Sequence, residues 1–223
     1  MGLERDAAFL HDRSVSSARA PGRGKYDRRT SPEDRAREQR RRLFSAATRV
    51  FAKKGFAGAT VDAIVAEAGT SRRTFYEHFD DLKDVLLLLH DRIANASFRV
   101  IEQCVRAKQH PNDQLRAGVE AFMGLIAHFS DQARVLFREV RAAGPEHEIR
   151  REALLSRFAA LLFEGVTRAN AMGIATKAPD ELRIFALVAA MEAVAMRYVE
   201  RRDESRAAEA VDPLVDMVIR AFA

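Results

Sequence analysis

Apolar side chains recur every three or four residues through most of the chain, and no segment alternates with the two-residue period of a half-buried strand. This periodicity, together with the capping residues, predicts helices at 32–54, 61–68, 72–79, 82–108, 113–129, 131–142, 146–172, 180–202 and 206–222. Residues 1–30 lack this period and are rich in glycine, serine and arginine. The expected fold is therefore all-α, preceded by a disordered basic tail over residues 1–30.

Two short predicted helices in the first third of the chain lie unusually close together. Thr60 is a suitable N-cap for the first of them, and Gly69 ends it. Only three residues separate its end from the second helix, and short helices joined by such a turn form a helix-turn-helix. We therefore expect a helix-turn-helix domain at 31–80 and a helical domain at 81–223.

Two helices near the end of the chain carry broad apolar surfaces. The segment 182–198 is apolar almost all round, so one face is expected to pack on the core and another on a second copy of the chain. The last helix has a second apolar stripe. Pro213 within it is expected either to kink this helix or to mark its true start, with Asp212 as cap. These stripes predict a homodimer whose interface includes Phe185, Val188, Met191, Ala195, Leu214, Val218 and Phe222.

Positive charge is concentrated in one part of the chain. The 223 residues include 37 Lys and Arg against 32 Asp and Glu, which gives a net charge of +5. Residues 35–73 contain 10 basic and 3 acidic side chains, whereas residues 74–223 are slightly acidic. A compact basic segment on a mildly acidic body is the charge distribution expected of a nucleic-acid-binding module.

Several classes of protein are disfavoured by what the sequence lacks. A single cysteine provides neither a disulfide framework nor a multi-cysteine zinc site, and no apolar run approaches the ~20 residues of a membrane-spanning helix. No nucleophile elbow, phosphate loop or di-iron motif is present, so we expect no enzyme, no cofactor and no metal site. Glu146, His147 and Glu148 are adjacent and do not share a helical face, so these residues favour a solvated helix start over a metal site. The expected location is cytoplasmic.

The stretch GFAGATVDAIVAEAGTSRRTFYEHFDDLKDVL, which begins at Gly55, resembles the DNA-binding domain of the TetR family of one-component transcriptional regulators. The resemblance covers residues 35–86, and beyond residue 90 only the helical pattern and the length agree. It implies a DNA-binding head and a helical body that binds an effector. At the start of the fourth helix the family has a lysine followed by an acid, where this chain has Leu82 and Lys83. Lys83 is a candidate replacement for the family's phosphate contact.

The third predicted helix presents candidate base contacts. Phe75 and Phe79 define its buried side. Arg73, Thr74 and Glu77 therefore point away from the core. Arg73 could bond to guanine, Thr74 could meet a thymine methyl, and Glu77 could accept from a cytosine amine or instead pair with Arg73. Candidate phosphate contacts and flanking basic residues complete the predicted DNA-binding set: Thr60, Ser71, Tyr76 and His78, with Arg72, Lys83, Arg42 and Arg49.

Five phenylalanines of the predicted body either line an effector cavity or belong to an ordinary core: Phe122, Phe129, Phe137, Phe158 and Phe163. The expected function is that of a homodimeric repressor, which binds a palindromic double-stranded DNA operator and leaves it when a small-molecule effector binds. The alternative is a non-enzymatic module that binds protein or RNA through its basic head.

Overall fold

A computed structural model describes residues 31–223, so the tail predicted at residues 1–30 lies outside the described residues. Within the described range the chain is all-α, as predicted, and no helix there is long and apolar enough to cross a membrane. The α-helices are α1 (Pro32–Lys54), α2 (Val61–Ala68), α3 (Arg72–Tyr76), α4 (Leu82–Arg106), α5 (Pro111–His128), α6 (Ser130–Phe137), α7 (Pro145–Ala171), α8 (Glu181–Arg201) and α9 (Val211–Phe222). Two 3-10 helices, Glu139–Ala143 and Glu204–Ala210, precede α7 and α9.

Aromatic side chains hold α1, α2 and α3 together as a head. Phe51 and Phe75 are completely buried, and the rings of Phe44 and Phe79 meet edge to face with their centroids 5.2 Å apart. Since Phe75 and Phe79 face this core, the opposite side of α3 is directed outward.

The head and the body share one hydrophobic core. Helix α1 packs against α2 on one side, and against α4 and α6 on another. Val135 of α6 and Val140 of the first 3-10 helix are completely buried in the same cluster as Phe51 and Phe75. The orientation of the head is therefore set by α6 and by the short segment that follows it.

Helices α4 and α7 run parallel along the body. Polar contacts join successive positions in the same order along both helices: Lys83 with Glu146, Asp91 with Arg150, Asn95 with Arg157, and Arg106 with Glu164. We call these four contacts the α4–α7 ladder. Helices α5, α8 and α9 complete the body around two further clusters, which include Met123 and Ile184.

Two predicted helices are longer than those observed. The segment predicted at 72–79 is helical only to Tyr76, and the turn that follows brings Phe79 back into the core. The segment predicted at 131–142 ends at Phe137, because the chain tightens there into the first 3-10 helix.

The last helix starts later than predicted, at Val211 rather than at residue 206. The expected cap, Asp212, is wrong, because Ala210 occupies the N-cap position and makes no side-chain hydrogen bond. Pro213 lies in the first turn, where backbone N–H groups have no partner within the helix, so its missing N–H costs little. The remaining predicted boundaries agree with the structure to within two residues.

A buried histidine pair lies between α4 and α7. The rings of His90 and His147 meet edge to face with centroids 5.8 Å apart, and the two residues are only 2% and 4% exposed. The solvated helix start predicted around His147 is therefore wrong for this residue, because its ring packs against His90. Burial, and then the proximity of His90, lower the pKa of His147 and favour its neutral form. Within residues 31–223, no three His, Cys, Asp or Glu side chains are grouped to hold a metal ion.

We expect acidification to destabilise the protein through His147. Because its pKa is lowered in the folded state, the unfolded chain binds the proton more readily, and stability is lost as the pH falls below the ordinary value of 6.5. The free energy of unfolding, measured by urea denaturation, should fall between pH 7.5 and pH 5, and should fall less in His147→Gln. His128→Gln, which replaces an exposed histidine, should behave like the wild type. An equal pH dependence in His147→Gln and the wild type would contradict this expectation.

Candidate DNA interface and ligand cavity

A glycine and an arginine shape the turn between α2 and α3. Thr60 caps α2 as predicted, since its side chain accepts a hydrogen bond from Ala63 N. Gly69 ends α2 with a φ of 63°, and Arg42 of α1 donates to the carbonyls of Ala68 and Gly69. A Cβ at position 69 would lie 3.0 Å from Arg42 Nη2, so both the backbone conformation and the arginine favour glycine there. Arg42 thus stabilises the turn.

The outward face of α3 carries the predicted base contacts. Ser71 caps α3 by accepting from Thr74 N, and Phe75 is buried beneath. The side chain of Arg73 is 89% exposed, and its Nε lies 3.0 Å from Glu77 Oε1. Glu77 therefore pairs with Arg73 in the DNA-free protein, which is the second of the two roles considered for it. This face presents a planar donor, a carboxylate acceptor and a partly exposed threonine.

Carboxylates already compensate the basic side chains around α3. Arg72 Nη1 lies 3.0 Å from both carboxylate oxygens of Asp62, and a hydrogen bond with Tyr76 and the charge of Asp62 raise the pKa of Arg72. Arg49 Nε lies 2.7 Å from Glu67 Oε1. Because exposed ion pairs of this kind contribute little stability, their arginines can exchange a carboxylate for a phosphate at small cost.

Two predicted phosphate contacts have other surroundings. Among the residues that the structure describes, His78 Nε2 is buried without a hydrogen-bond partner, so a contact through this nitrogen requires the ring to turn. Lys83 Nζ lies 2.7 Å from Glu146 Oε2, so this lysine joins the start of α4 to α7. The structure brings the following predicted residues to the N-terminus of α2 and the outer side of α3: Thr60, Ser71, Arg72, Arg73, Thr74, Tyr76 and Glu77.

The body contains a mainly apolar cavity of about 270 Å³, and all six of its α-helices contribute to the wall. Four of the five predicted phenylalanines line this cavity: Phe122, Phe129, Phe137 and Phe158. The prediction is wrong for Phe163, which packs instead against a neighbouring cluster that includes Val166 and Ile184. A concave and mainly apolar site with a few polar groups is typical of small-molecule binding.

Sequence periodicity did not predict an ion pair in the cavity wall, between the buried Glu192 and the half-buried Arg151. Arg151 Nε donates to Glu192 Oε1 over 2.8 Å, and Arg151 Nη2 donates to Glu192 Oε2. The hydrogen bonds from Arg151 satisfy both oxygens of a carboxylate that is only 8% exposed, and they raise the pKa of Arg151. The sequence carries one signal of this pair, because Glu192 is the lone acid within the apolar segment 182–198.

Most residues chosen for the dimer interface belong to the core of the single chain. Five of them are buried and cannot contact a second copy: Val188, Ala195, Leu214, Val218 and Phe222. The predicted interface is therefore wrong for these five residues, because the most apolar side of α8 and of α9 packs on the core of the same chain. Phe185 and Met191 are half-buried. The opposite side of α8 exposes other apolar residues, Leu182 and Ala186. On α9, Ile219 is exposed at the edge of the cavity lining.

A buried carboxylate of the body holds the backbone of the head. Glu139 Oε2 accepts a hydrogen bond from Phe56 N over 2.8 Å, and Glu139 Oε1 accepts from Arg138 Nε over 2.5 Å. Helix α6, immediately before this segment, contributes Leu136 and Phe137 to the cavity wall. One short stretch of chain therefore connects the cavity with the loop between α1 and α2. No local pattern predicts this contact, since its partners lie 83 residues apart.

A helix-turn-helix head on a hollow helical body is the architecture of a one-component regulator of transcription. Residues 43–88 match the family model for bacterial regulatory proteins of the tetR family, and residues 108–220 match that for tetracyclin repressor-like C-terminal domains. The second match alone covers half of the chain. The chain therefore belongs to the TetR family, whose members are DNA-binding transcriptional regulators rather than enzymes.

Two curated relatives are also named as regulators. FasR of Mycolicibacterium smegmatis, an HTH-type transcriptional activator, is 31% identical over 109 residues, which is 49% of this chain and 50% of FasR. HbdR of an Aromatoleum species, an HTH-type transcriptional regulator, is 24% identical over 135 residues, which is 60% of this chain and 54% of HbdR. The chain thus spans about half the length of the curated relatives it matches.

Solved structures share the fold over most of the chain. FadR of Bacillus halodurans, a fatty acid degradation regulator, has a TM-score of 0.72 at 19% identity, over 85% of this chain and 96% of that one. FadR of Bacillus subtilis in complex with stearoyl-CoA has a TM-score of 0.69 at 18% identity, over 80% and 96%. At these identities the likeness shows the fold.

We expect Glu139→Ala to loosen the attachment of the head, because Phe56 N loses its charged acceptor. The amide of Phe56 should exchange its hydrogen at least about tenfold faster in NMR experiments, and the free energy of unfolding should fall by about 1–3 kcal/mol. Glu148→Ala removes an exposed carboxylate of α7 and should change the free energy of unfolding by less than about 0.5 kcal/mol. Unchanged protection of Phe56 in Glu139→Ala would show that the contact does not hold the loop.

Proposed function

We propose that this TetR-family regulator is a homodimeric repressor that acts in the cytoplasm and binds a near-palindromic operator. The observation that carries the proposal is the outward face of α3, where Arg73 projects into solvent while Phe75 and Phe79 anchor the helix from below. A short helix held in this way enters the major groove and bonds to base edges. Arg73 bonds to guanine, Glu77 orients it or accepts from a cytosine amine, and Thr74 meets a thymine methyl.

Phosphate contacts would supply much of the affinity. The hydroxyl of Thr60 accepts a backbone hydrogen bond within the head, so its own hydrogen is available to a phosphate oxygen. Arg49 and Arg72 would exchange Glu67 and Asp62 for phosphates. Other predicted residues complete the proposed DNA contacts: Ser71, Tyr76, His78, Lys83 and Arg42.

A two-fold dimer accounts for the proposed palindrome. Two heads related by such an axis would place their α3 helices in successive major grooves about 34 Å apart, on inverted half-sites. The outer side of α8 suits a second copy, because Leu182 is 78% exposed and the exposed Ala186 and Ala193 follow on the same side. Ile219 of α9 is exposed as well, so a four-helix contact would cover these residues.

The cavity is the proposed effector site. Its apolar wall favours a largely apolar molecule, and the stearoyl-CoA bound to FadR of Bacillus subtilis supports that class of effector for this fold. An effector that displaces α6 would move Glu139 and Val140, and with them the loop and core that position the head. A coupling of about 1–3 kcal/mol between effector and operator would lower DNA affinity about 5- to 150-fold.

The first experiment exposes the immobilised protein to sheared DNA of its source genome at physiological salt and sequences the retained fragments. An enriched inverted repeat is expected. Transcription in vitro from a promoter that contains this repeat should decrease when the protein is added. An increase would instead identify an activator, as FasR is named, and salt-sensitive retention of random DNA would support the interaction module with a basic head.

Substitution of Arg73 tests the base contact. We expect Arg73→Ala to weaken binding to the enriched repeat by about 1–3 kcal/mol and to relax one base position, because a bidentate bond to guanine is lost. Arg206→Ala removes an arginine that is likewise exposed and paired with a nearby glutamate, on the body, and should leave DNA binding unchanged. Equal weakening of specific and random DNA by Arg73→Ala would rule out base recognition by this residue.

Substitution of Ala186 tests the dimer. Sedimentation should show a dimer of the wild type at micromolar concentration, and Ala186→Glu should raise the dissociation constant at least about 30-fold, because an unpaired carboxylate in an apolar contact costs about 2 kcal/mol or more. Ala208→Glu, at an exposed alanine of the second 3-10 helix, should remain dimeric. A folded wild-type monomer at this concentration would refute the proposed dimer.

A further inference from the structure

The cavity is elongated. Its lining on α4 consists of four residues at intervals of four, Ile93, Ser97, Ile101 and Val105. With a rise of about 1.5 Å per residue, these lining residues extend about 18 Å along α4. The wall therefore fits a rod-shaped apolar ligand better than a globular one.

The charged pair lies toward one end of this elongated space. Helices α4 and α7 are parallel, as the α4–α7 ladder shows, so the start of the α7 lining at Arg151 lies beside the part of α4 nearer the head. Glu192 joins Arg151 there, while the far end is lined by Pro111, Ala175 and Phe222. A rod-shaped ligand with one polar end would thus place that end at the pair.

The pair leaves no net charge at the polar end. Glu192 uses both oxygens on Arg151, and no other charged residue lines the cavity in the part of the chain that the structure describes. Arg151 has five N–H donors: Glu192 takes one on Nε and one on Nη2, and Nη1 lies 3.7 Å from Glu148 Oε2. The second N–H of Nη2 therefore remains for a neutral oxygen acceptor on a ligand. A ligand carboxylate would instead have to share this guanidinium with Glu192, in an apolar site where an unpaired charge is costly.

We propose that Glu192 makes the cavity selective for elongated apolar molecules whose polar end is an uncharged acceptor, such as an ester or thioester carbonyl, and excludes the corresponding carboxylates. The inference rests on the proposed role of the cavity as the effector site. Glu192 acts through charge: it cancels the attraction of Arg151 for an anion and leaves the spare N–H group to a neutral oxygen.

The test measures binding of two probes of equal chain length, methyl decanoate and decanoate, to the full chain by equilibrium dialysis at pH 7.5. The wild type should bind the ester at least tenfold more tightly. In Glu192→Gln the shape is kept while the charge of Arg151 is exposed, so the affinity for decanoate should rise at least tenfold and that for the ester should stay within threefold. The greater hydrophobicity of the ester could by itself explain why the wild type prefers it to decanoate. It could not explain a change in that preference in Glu192→Gln.

Glu148→Gln is the matched control. Glu148 Oε2 lies 3.7 Å from Arg151 Nη1 but does not line the cavity, so its loss should leave the ratio of the two affinities within threefold of the wild type. If circular dichroism shows that Glu192→Gln is not folded, Arg151→Gln is used instead. It removes the positive partner of the same pair, at a more exposed position. There the uncompensated Glu192 should raise the affinity for decylammonium at least tenfold.

The role of Glu192 would be overturned if folded Glu192→Gln kept the wild-type ratio of the affinities for decanoate and the ester. It would also be overturned if Arg151→Gln kept the wild-type affinity for decylammonium. A wild type that binds decanoate as tightly as the ester would overturn it as well. If the wild type binds neither probe, the elongated ligand class is wrong. The proposed DNA-binding function is tested separately by the retained genomic repeat, so the failures are distinguishable.

Discussion

Helix α1 is buried on more than one side, and its packing against the body decides where the outward face of α3 points. One side meets α2, and another meets α4 and α6 in a core that runs from Phe51 to Val135 and Val140 without a break. The outward direction of Arg73 is thus a property of the whole chain, because Phe75 anchors α3 to the same core. A change in the body need not reach the head through a long relay, since both already share side-chain contacts.

Several arginines of the basic head already have partners within the protein, so the charge available to DNA is smaller than the net charge of the head implies. Arg49, Arg72 and Arg73 each have a carboxylate partner within 3.0 Å, and Arg42 is committed to backbone carbonyls. If these arginines contact DNA as proposed, association would be an exchange of partners as well as an attraction, and the acids released next to the phosphates would oppose binding. Such acids would then restrain non-specific attachment more than a complex in which arginines also bond to bases.

Much of the fold follows from local signals in the sequence. Helical periodicity and the Thr60 and Gly69 boundaries identify the head, because caps and left-handed glycines act over three or four residues. The side of α8 that packs inward could not be decided in this way, because its sequence is apolar almost all round. Glu139 and Glu192 were missed for a related reason: each finds its partner on a distant segment, and only the folded chain brings these groups together.

The α4–α7 ladder also has a mechanical meaning. If α7 moved by one turn in one direction, Arg150 would come opposite Lys83, and in the other direction Glu146 would come opposite Asp91. Either slip places like charges together, so the sequence offers no second register for this pair of helices. The two helices are therefore expected to tilt or shift together as one rigid body. A displacement of the part of α7 that lines the cavity would then also move the start of α4, which lies beside α3.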